Sequence, residues 1–172
     1  MTEKGRMLRD IGSNAAPGAM VAQTSCSGAV FLSDKIEMAL RNDISEVGRV
    51  LDAIEAFGEA HGLSPKAIFR LNLALDELIT NIVSYAFEGH SECHIELTVE
   101  LRDGVIEALL IDNGKPFNPV DAELPELGEG LDERRIGGLG IKLVRTHMDR
   151  LDYSREGGFN RLQMHMNLNA VG

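Results

Sequence analysis

Cysteine is scarce in this chain of 172 residues: there are two, Cys26 and Cys93. Neither has the close-spaced partner of a zinc site, and no secreted context argues for a disulfide, so both read as unrelated free thiols. Long apolar runs are also missing. No stretch approaches the roughly 18 residues that a membrane-spanning helix requires. The N-terminus shows no basic segment followed by a long apolar core, so no signal peptide is expected. A cytoplasmic protein without membrane contact is the expectation. Basic residues are in short supply: 17 Lys and Arg stand against 27 Asp and Glu, for a formal charge of −10. A nucleic-acid backbone needs a basic face, so that partner class is argued against, while a basic protein partner is permitted.

What is present fits an ordinary globular domain. Apolar residues make up 44% and charged residues 26% of the chain, enough to bury a core without staples. Residues 1–30 are rich in Gly, Ala, Ser and Met with no sustained period and read as a flexible extension. Residues 31–172 form the expected folded domain.

Lys35 to Leu40 alternates polar and apolar, as a half-buried strand does. Val47, Val50, Leu51, Ile54 and Phe57 fall at helical spacing, and that helix ends near His61-Gly62. Ser64-Pro65 pairs an N-cap with a first-turn proline and opens a second helix expected to run to about Phe87. Strands near 94–101 and 105–111 flank Asp103-Gly104, a strong hairpin signal. A long Gly- and Pro-bearing loop over 113–138 suggests a functional lid. A helix from Ile141 to about Arg150 and strands near 151–155 and 161–168 complete the chain. The sum is α+β: a two-layer sandwich, a mixed or antiparallel sheet with helices on one face.

Three clusters can carry chemistry. In the second helix Leu71, Leu75, Leu78, Ile82 and Ala86 form one stripe, while Glu77, Asn81 and Ser84 lie opposite. That side is either an ordinary solvated face or a base candidate beside a neutral oxygen ligand for a hard cation. Next, the apolar strand Leu109-Leu110-Ile111 ends in Asp112-Asn113-Gly114. This is a plain turn exit or a carboxylate that accepts from the amino group of a planar base, with Gly114 letting the chain pass close. Third, Gly137-Gly138-Leu139-Gly140 precedes a helix. It is a hinge, or an anion site of exposed N–H groups at a helix N-terminus. It matches neither the P-loop nor the Rossmann fingerprint.

The order of the three resembles the Bergerat ATP-binding fold shared by gyrase, the Hsp90 chaperone, histidine kinases and MutL. Glu77-x-x-x-Asn81 matches its N box, Asp112-Asn113-Gly114 its first glycine box, and Gly138-Leu139-Gly140 its second. Asp-Asn-Gly-x-Pro-Phe-x-Pro, Gly-Gly-Leu-Gly-Ile-x-Leu-Val, Asp149, Tyr153 and Gly158 to Leu162 resemble the bacterial anti-sigma factor serine kinases of the RsbW and SpoIIAB kind over about residues 32–168. One departure is Ser84, where the family usually has His.

The resemblance implies a protein serine kinase using ATP and Mg²⁺. Glu77 would be the catalytic base and Asn81 the metal ligand. Asp112 and Gly114 would hold the adenine, and Gly138, Leu139 and Gly140 the phosphates. Arg134 or Arg135, in the lid, would reach the γ-phosphate or form only a solvated pair. The implied partners are a STAS-type anti-sigma antagonist and a sigma factor, with a homodimer possible. A non-catalytic ATP- or ADP-responsive module that sequesters a partner is the alternative. The ATPase half of a histidine kinase is disfavoured, because no helical hairpin with a phosphoacceptor His precedes the domain.

Overall fold

The structure, a computed structural model, describes residues 23–24, 30–32, 34–88, 92–122 and 138–170. Its strands are β1 (Gln23–Thr24), β2 (Val30–Leu32), β3 (Lys35–Leu40), β4 (Ile95–Arg102), β5 (Val105–Asp112), β6 (Arg150–Glu156) and β7 (Phe159–Asn167). The helices are α1 (Ser45–Ala60), α2 (Pro65–Asn81) and α3 (Gly138–His147). The strands form one sheet in the order β1-β2-β3-β4-β5-β7-β6, and every neighbouring pair is antiparallel. Of the mixed and antiparallel alternatives, the second holds.

Period-two alternation decides which side of the sheet is dry. Ile36, Met38 and Leu40, then Ile95, Leu97 and Val99, then Ile106, Ala108 and Leu110, then Leu162, Met164 and Met166 are all buried. They join Val50, Ile54 and Phe57 of α1, Leu71, Leu75 and Ile79 of α2, and Ile141 and Val144 of α3 in one core. The helices therefore cover one face, as expected. The register lines up rows across the sheet. One row reads Met38, Leu97, Leu110, Leu162, Tyr153; the next reads Leu40, Ile95, Asp112, Asn160, Arg155. The core face thus turns from apolar to polar at one end of the sheet.

Local chemistry explains the punctuation. Ser64 Oγ accepts from Ala67 N at 3.2 Å and Pro65 takes the first helical position of α2. The β4–β5 turn needs two residues at positive φ, and Asp103 (50°) and Gly104 (77°) supply them. At the start of α1 the Glu46 carboxylate is buried, bonded to Arg41 Nε at 2.6 Å and Arg49 Nε at 2.7 Å. Burial pushes its pKa up, but the bonds from both arginines outweigh this and hold it below the usual carboxylate range.

Two boundaries differ from the sequence expectation. The second helix does not run regularly to Phe87: it widens after Asn81 into a π-helical turn, Ile82–Ala86. The last helix starts and stops earlier than 141–150. Gly138 and Gly140 lie inside its first turn rather than before it, because Gly140 has to fit against α2. Its far end is cut short because Asp149 N already bonds His165 O at 2.8 Å, committing the chain to the sheet. Gln23–Thr24 lie in the stretch read as an extension and pair with β2.

Candidate functional site

The stripe on α2 is dry as expected, with Leu71, Leu75 and Leu78 buried. The opposite side is not a wet face. Glu77 and Asn81 are half-buried, and only Ser84 is exposed. What covers Glu77 is α3. A Cβ built on Gly140 would lie 1.8 Å from Glu77 Oε2 and 2.5 Å from its carboxyl carbon. No side chain fits there while Glu77 holds this position, so the absent one at residue 140 is what lets the second glycine box close over the carboxylate. One turn on, Asn81 Nδ2 is buried with no partner among the described residues. A buried amide end left unmade costs about 1–3 kcal/mol, so such an atom calls for a ligand or a water. The π turn starts at the very next residue, a geometry that recurs at functional sites.

The first glycine box closes on the same helix. A Cβ on Gly114 would meet Ala86 Cβ at 2.5 Å and Ala86 O at 2.8 Å, and Lys115 N bonds Ala86 O at 2.9 Å. The close approach that Gly114 permits is thus to the π turn. Asn113 holds the other side of the loop, accepting from His94 N at 2.7 Å and donating to Glu92 O at 3.1 Å.

Asp112 ends β5 on the core face, 5% exposed. Its Oδ1 accepts from Gly114 N and from Asn160 Nδ2, both at 2.8 Å. Burial raises its pKa, while Asn160, the Gly114 N–H and the Arg155 charge oppose the rise. Behind α3, Arg145 donates to Pro119 O at 2.9 and 2.6 Å and to Ala122 O at 2.8 Å, fastening the start of the long loop.

The sequence-derived set is therefore brought together at Glu77, Asn81, Asp112, Gly114 and Gly140. Gly138 lies in the first turn of α3, as does Leu139, whose side chain is outside the described residues; so are Arg134 and Arg135. Sequence reasoning gave Asn160, Tyr153, Arg155 and Arg145 no role. The signal for Asn160 was available: it stands in the buried phase of Leu162, Met164 and Met166, where a polar side chain needs partners.

The fit to ATP and Mg²⁺ is good on these observations. Asn81 offers a buried Nδ2 without a partner among the described residues, and either end of the amide can face a ligand after rotation about χ2. Among the described residues one oxygen of the Asp112 carboxylate receives no donor, and α3 begins with a turn carrying two glycines, Gly138 and Gly140, suited to phosphate. Among the described residues no group of three or more His, Cys, Asp or Glu gathers. A cation here would lean on Asn81 and phosphate oxygens, which suits Mg²⁺. Among the described residues no helix is long and apolar enough to cross a membrane.

Comparison with known proteins gives one direction. The Histidine kinase-like ATPase domain family matches residues 40–166. The serine/threonine-protein kinase BtrW of Bordetella bronchiseptica is 36% identical over 101 residues, 59% of this chain and 71% of that protein. The serine-protein kinase RsbW of Listeria innocua is 32% identical over 124 residues, 69% of this chain and 78% of that protein. A crystal structure of the RsbU and RsbW domains of a Mycobacterium tuberculosis protein superposes with a TM-score of 0.56 at 16% identity, covering 80% of this chain and 33% of that one, a likeness of fold. With both glycine boxes seated on the Glu77–Asn81 helix and the family matched from strand β3 to strand β7, this chain belongs to the Histidine kinase-like ATPase domain family.

Proposed function

We propose that this chain is an ATP-dependent protein serine kinase and anti-sigma regulator. It passes a phosphoryl group to a serine of a STAS-type anti-sigma antagonist, and it holds a sigma factor when that antagonist is phosphorylated and released. The observation that carries the reading is the double glycine contact on one helix. Gly140 lies against Glu77 and Gly114 against Ala86, each closer than any Cβ allows. The base and the metal ligand therefore share one continuous helical segment, α2 and its π turn, with the contacts to both ligand loops. The similarity to proteins named serine kinases supports the activity.

The roles follow from the chemistry of each group. Asp112 accepts a hydrogen bond from the amino group of the base. Asn81 would hold Mg²⁺, which when bound would supply neutralising charge to the phosphates. The first turn of α3 turns N–H groups toward phosphate oxygens. Glu77 takes the proton from the incoming serine hydroxyl, and Gly140 covers one side of its half-buried carboxylate. Phosphoryl transfer is mostly positioning and charge stabilisation, so the partner must deliver its serine in line. Arg134 or Arg135 would add positive charge at the γ-phosphate.

The test is transfer from labelled ATP with Mg²⁺ to candidate antagonist proteins, comparing the native chain with Glu77→Ala. Serine phosphorylation that disappears in the variant, with ATP affinity retained, is the expected result. Asn81-dependent ATP binding without transfer would replace the kinase with a sequestering module. Absence of adenine-nucleotide binding would remove the proposal.

A further inference from the structure

The helices cover one face of the sheet and leave the other open among the described residues. On the open face the register sets Glu100 of β4 directly opposite Glu107 of β5. Like charges directly across a ladder destabilise it. Glu100 accepts from Arg102 Nη2 at 2.6 Å. Glu107 has no lysine or arginine at ion-pair distance among the described residues; His165 Nδ1 stands 4.0 Å away. Lys35, in the same cross-strand row, pairs with Glu37. Over this row lies a hollow of about 230 Å³, lined by both glutamates with Lys35, Thr98, Leu109 and Gln163. Two carboxylates beside the half-buried Leu109 suit a long basic side chain, whose stem packs while its head pairs.

The chain carries such side chains within reach. Residues 1–22 lie outside the described residues and meet the sheet at Gln23 of β1. Pairing runs Gln23, Phe31, Ile36, Val99, Ala108. Ala108 also lines the hollow, so the segment joins the sheet level with it. From β1 to β4 and β5 is three to four strand spacings, about 14–19 Å. The 14 residues from Arg9 to Gln23 extend to about 46–50 Å at most. Charge points the same way. Residues 1–22 hold Lys4, Arg6 and Arg9 against Glu3 and Asp10, a net +1 in a chain whose total is −10. Glu37, Glu96, Glu100 and Glu107 stand on the open face of β3 to β5 against Lys35 and Arg102.

We propose that residues 1–22 lie across the open face as a strap, with Arg6 or Arg9 seated in the hollow between Glu100 and Glu107. The interleaved Met7, Leu8 and Ile11 then lie against Leu109 and Ile111, both half-buried on that face. The seated cation offsets the repulsion that the register imposes on the two glutamates. The occupant is the chain's own segment because it is tethered level with the hollow. Tethering holds the basic stretch at an effective concentration on the order of millimolar, and it avoids the loss of freedom that a second copy suffers on association. While seated, the strap closes this face to a second copy and to basic partners. The inference does not depend on the kinase reading.

The experiment treats the full chain, as an equal mixture of isotope-labelled and unlabelled protein, with a zero-length carbodiimide that joins lysines to adjacent carboxylates. Links are mapped by mass spectrometry, with Lys115 to Glu88, 3.4 Å apart, as the internal reference. Lys4 should join Glu100 or Glu107 of its own chain, and the yield should fall severalfold in the double variant Arg6→Gln/Arg9→Gln. Urea melts then close a double-mutant cycle between that variant and Glu107→Gln. Glu107→Gln should be less favourable in wild type than in the double variant, by about twofold to fivefold in the unfolding constant, the range of an exposed ion pair. Links confined to differently labelled chains would make the occupant a second copy and overturn the strap. Lys4 links to carboxylates elsewhere, or none, would overturn it as well. Zero coupling in the cycle would remove the seat between the two glutamates.

Discussion

Gly140→Ala separates the fold from the chemistry. The new methyl carbon would be placed 1.8 Å from Glu77 Oε2, whereas ordinary contact begins at 3.4 Å. The carboxylate must retreat by about 1.6 Å. The cost to stability is small, because the obstacle is the end of a flexible, half-buried side chain. An off-rotamer Glu77 costs about 0.5–1.5 kcal/mol, and replacing glycine within a helix returns up to about 1 kcal/mol. Gly140 has no positive φ to forbid alanine. The net change lies within about 1 kcal/mol, a Tm shift of at most about 2–4 °C for a chain of this size. Activity has no such tolerance: misplacing a reacting group by about 1 Å costs about 100-fold. Thermal melts, equilibrium ATP binding and single-turnover phosphotransfer would be read on the same preparation. The expected pattern is a native-like melt, ATP affinity within severalfold of wild type, and transfer reduced about 100-fold. Wild-type transfer rates in this variant would refute the idea that the α3 glycine seats the base.

Three further outcomes follow. Glu46→Ala should destabilise by about 2 kcal/mol near neutral pH through loss of charge-assisted bonds to Arg41 and Arg49. Because the folded pKa of Glu46 is depressed, its contribution is present above the unfolded pKa and fades as pH falls through the folded one, so urea melts of wild type and variant should converge in acid. Asp112→Asn should raise Tm at neutral pH while weakening ATP binding: the folded pKa is raised, so ionisation works against the fold once pH exceeds the unfolded value, and the gain should vanish below it. Arg145→Ala frees the carbonyls of Pro119 and Ala122 and should speed amide exchange over 118–122 with a stability loss of about 1–2 kcal/mol.

Most of the architecture was legible because it rests on local rules. Alternation placed β3, Asp103-Gly104 between apolar-rich runs placed the β4–β5 hairpin, and Ser64-Pro65 placed the start of α2. The α3 boundary was not legible. Glycine in a sequence reads as a breaker, and only the approach of Glu77 shows why one stands at 140 inside the first turn of a helix. The π turn is equally silent, since Ile82-Val83-Ser84-Tyr85-Ala86 continues the helical pattern while Gly114 packs against its last residue.

The same distinction holds at the site. Glu77, Asn81 and Asp112 stood out because charged or polar groups interrupt apolar stretches, and their spacing matched a known order of boxes. Asn160 and Tyr153 were visible as residues but not as partners, because partnership is a property of strand register. Residues 112 and 160 become neighbours only when β5 and β7 pair with Ile111 opposite Arg161. A slip of one residue would turn Asn160 to the open face and leave Asp112 buried without its side-chain donor. The register that buries Leu162, Met164 and Met166 is therefore also the register that equips the carboxylate, so core packing and ligand recognition are specified by one hydrophobic pattern.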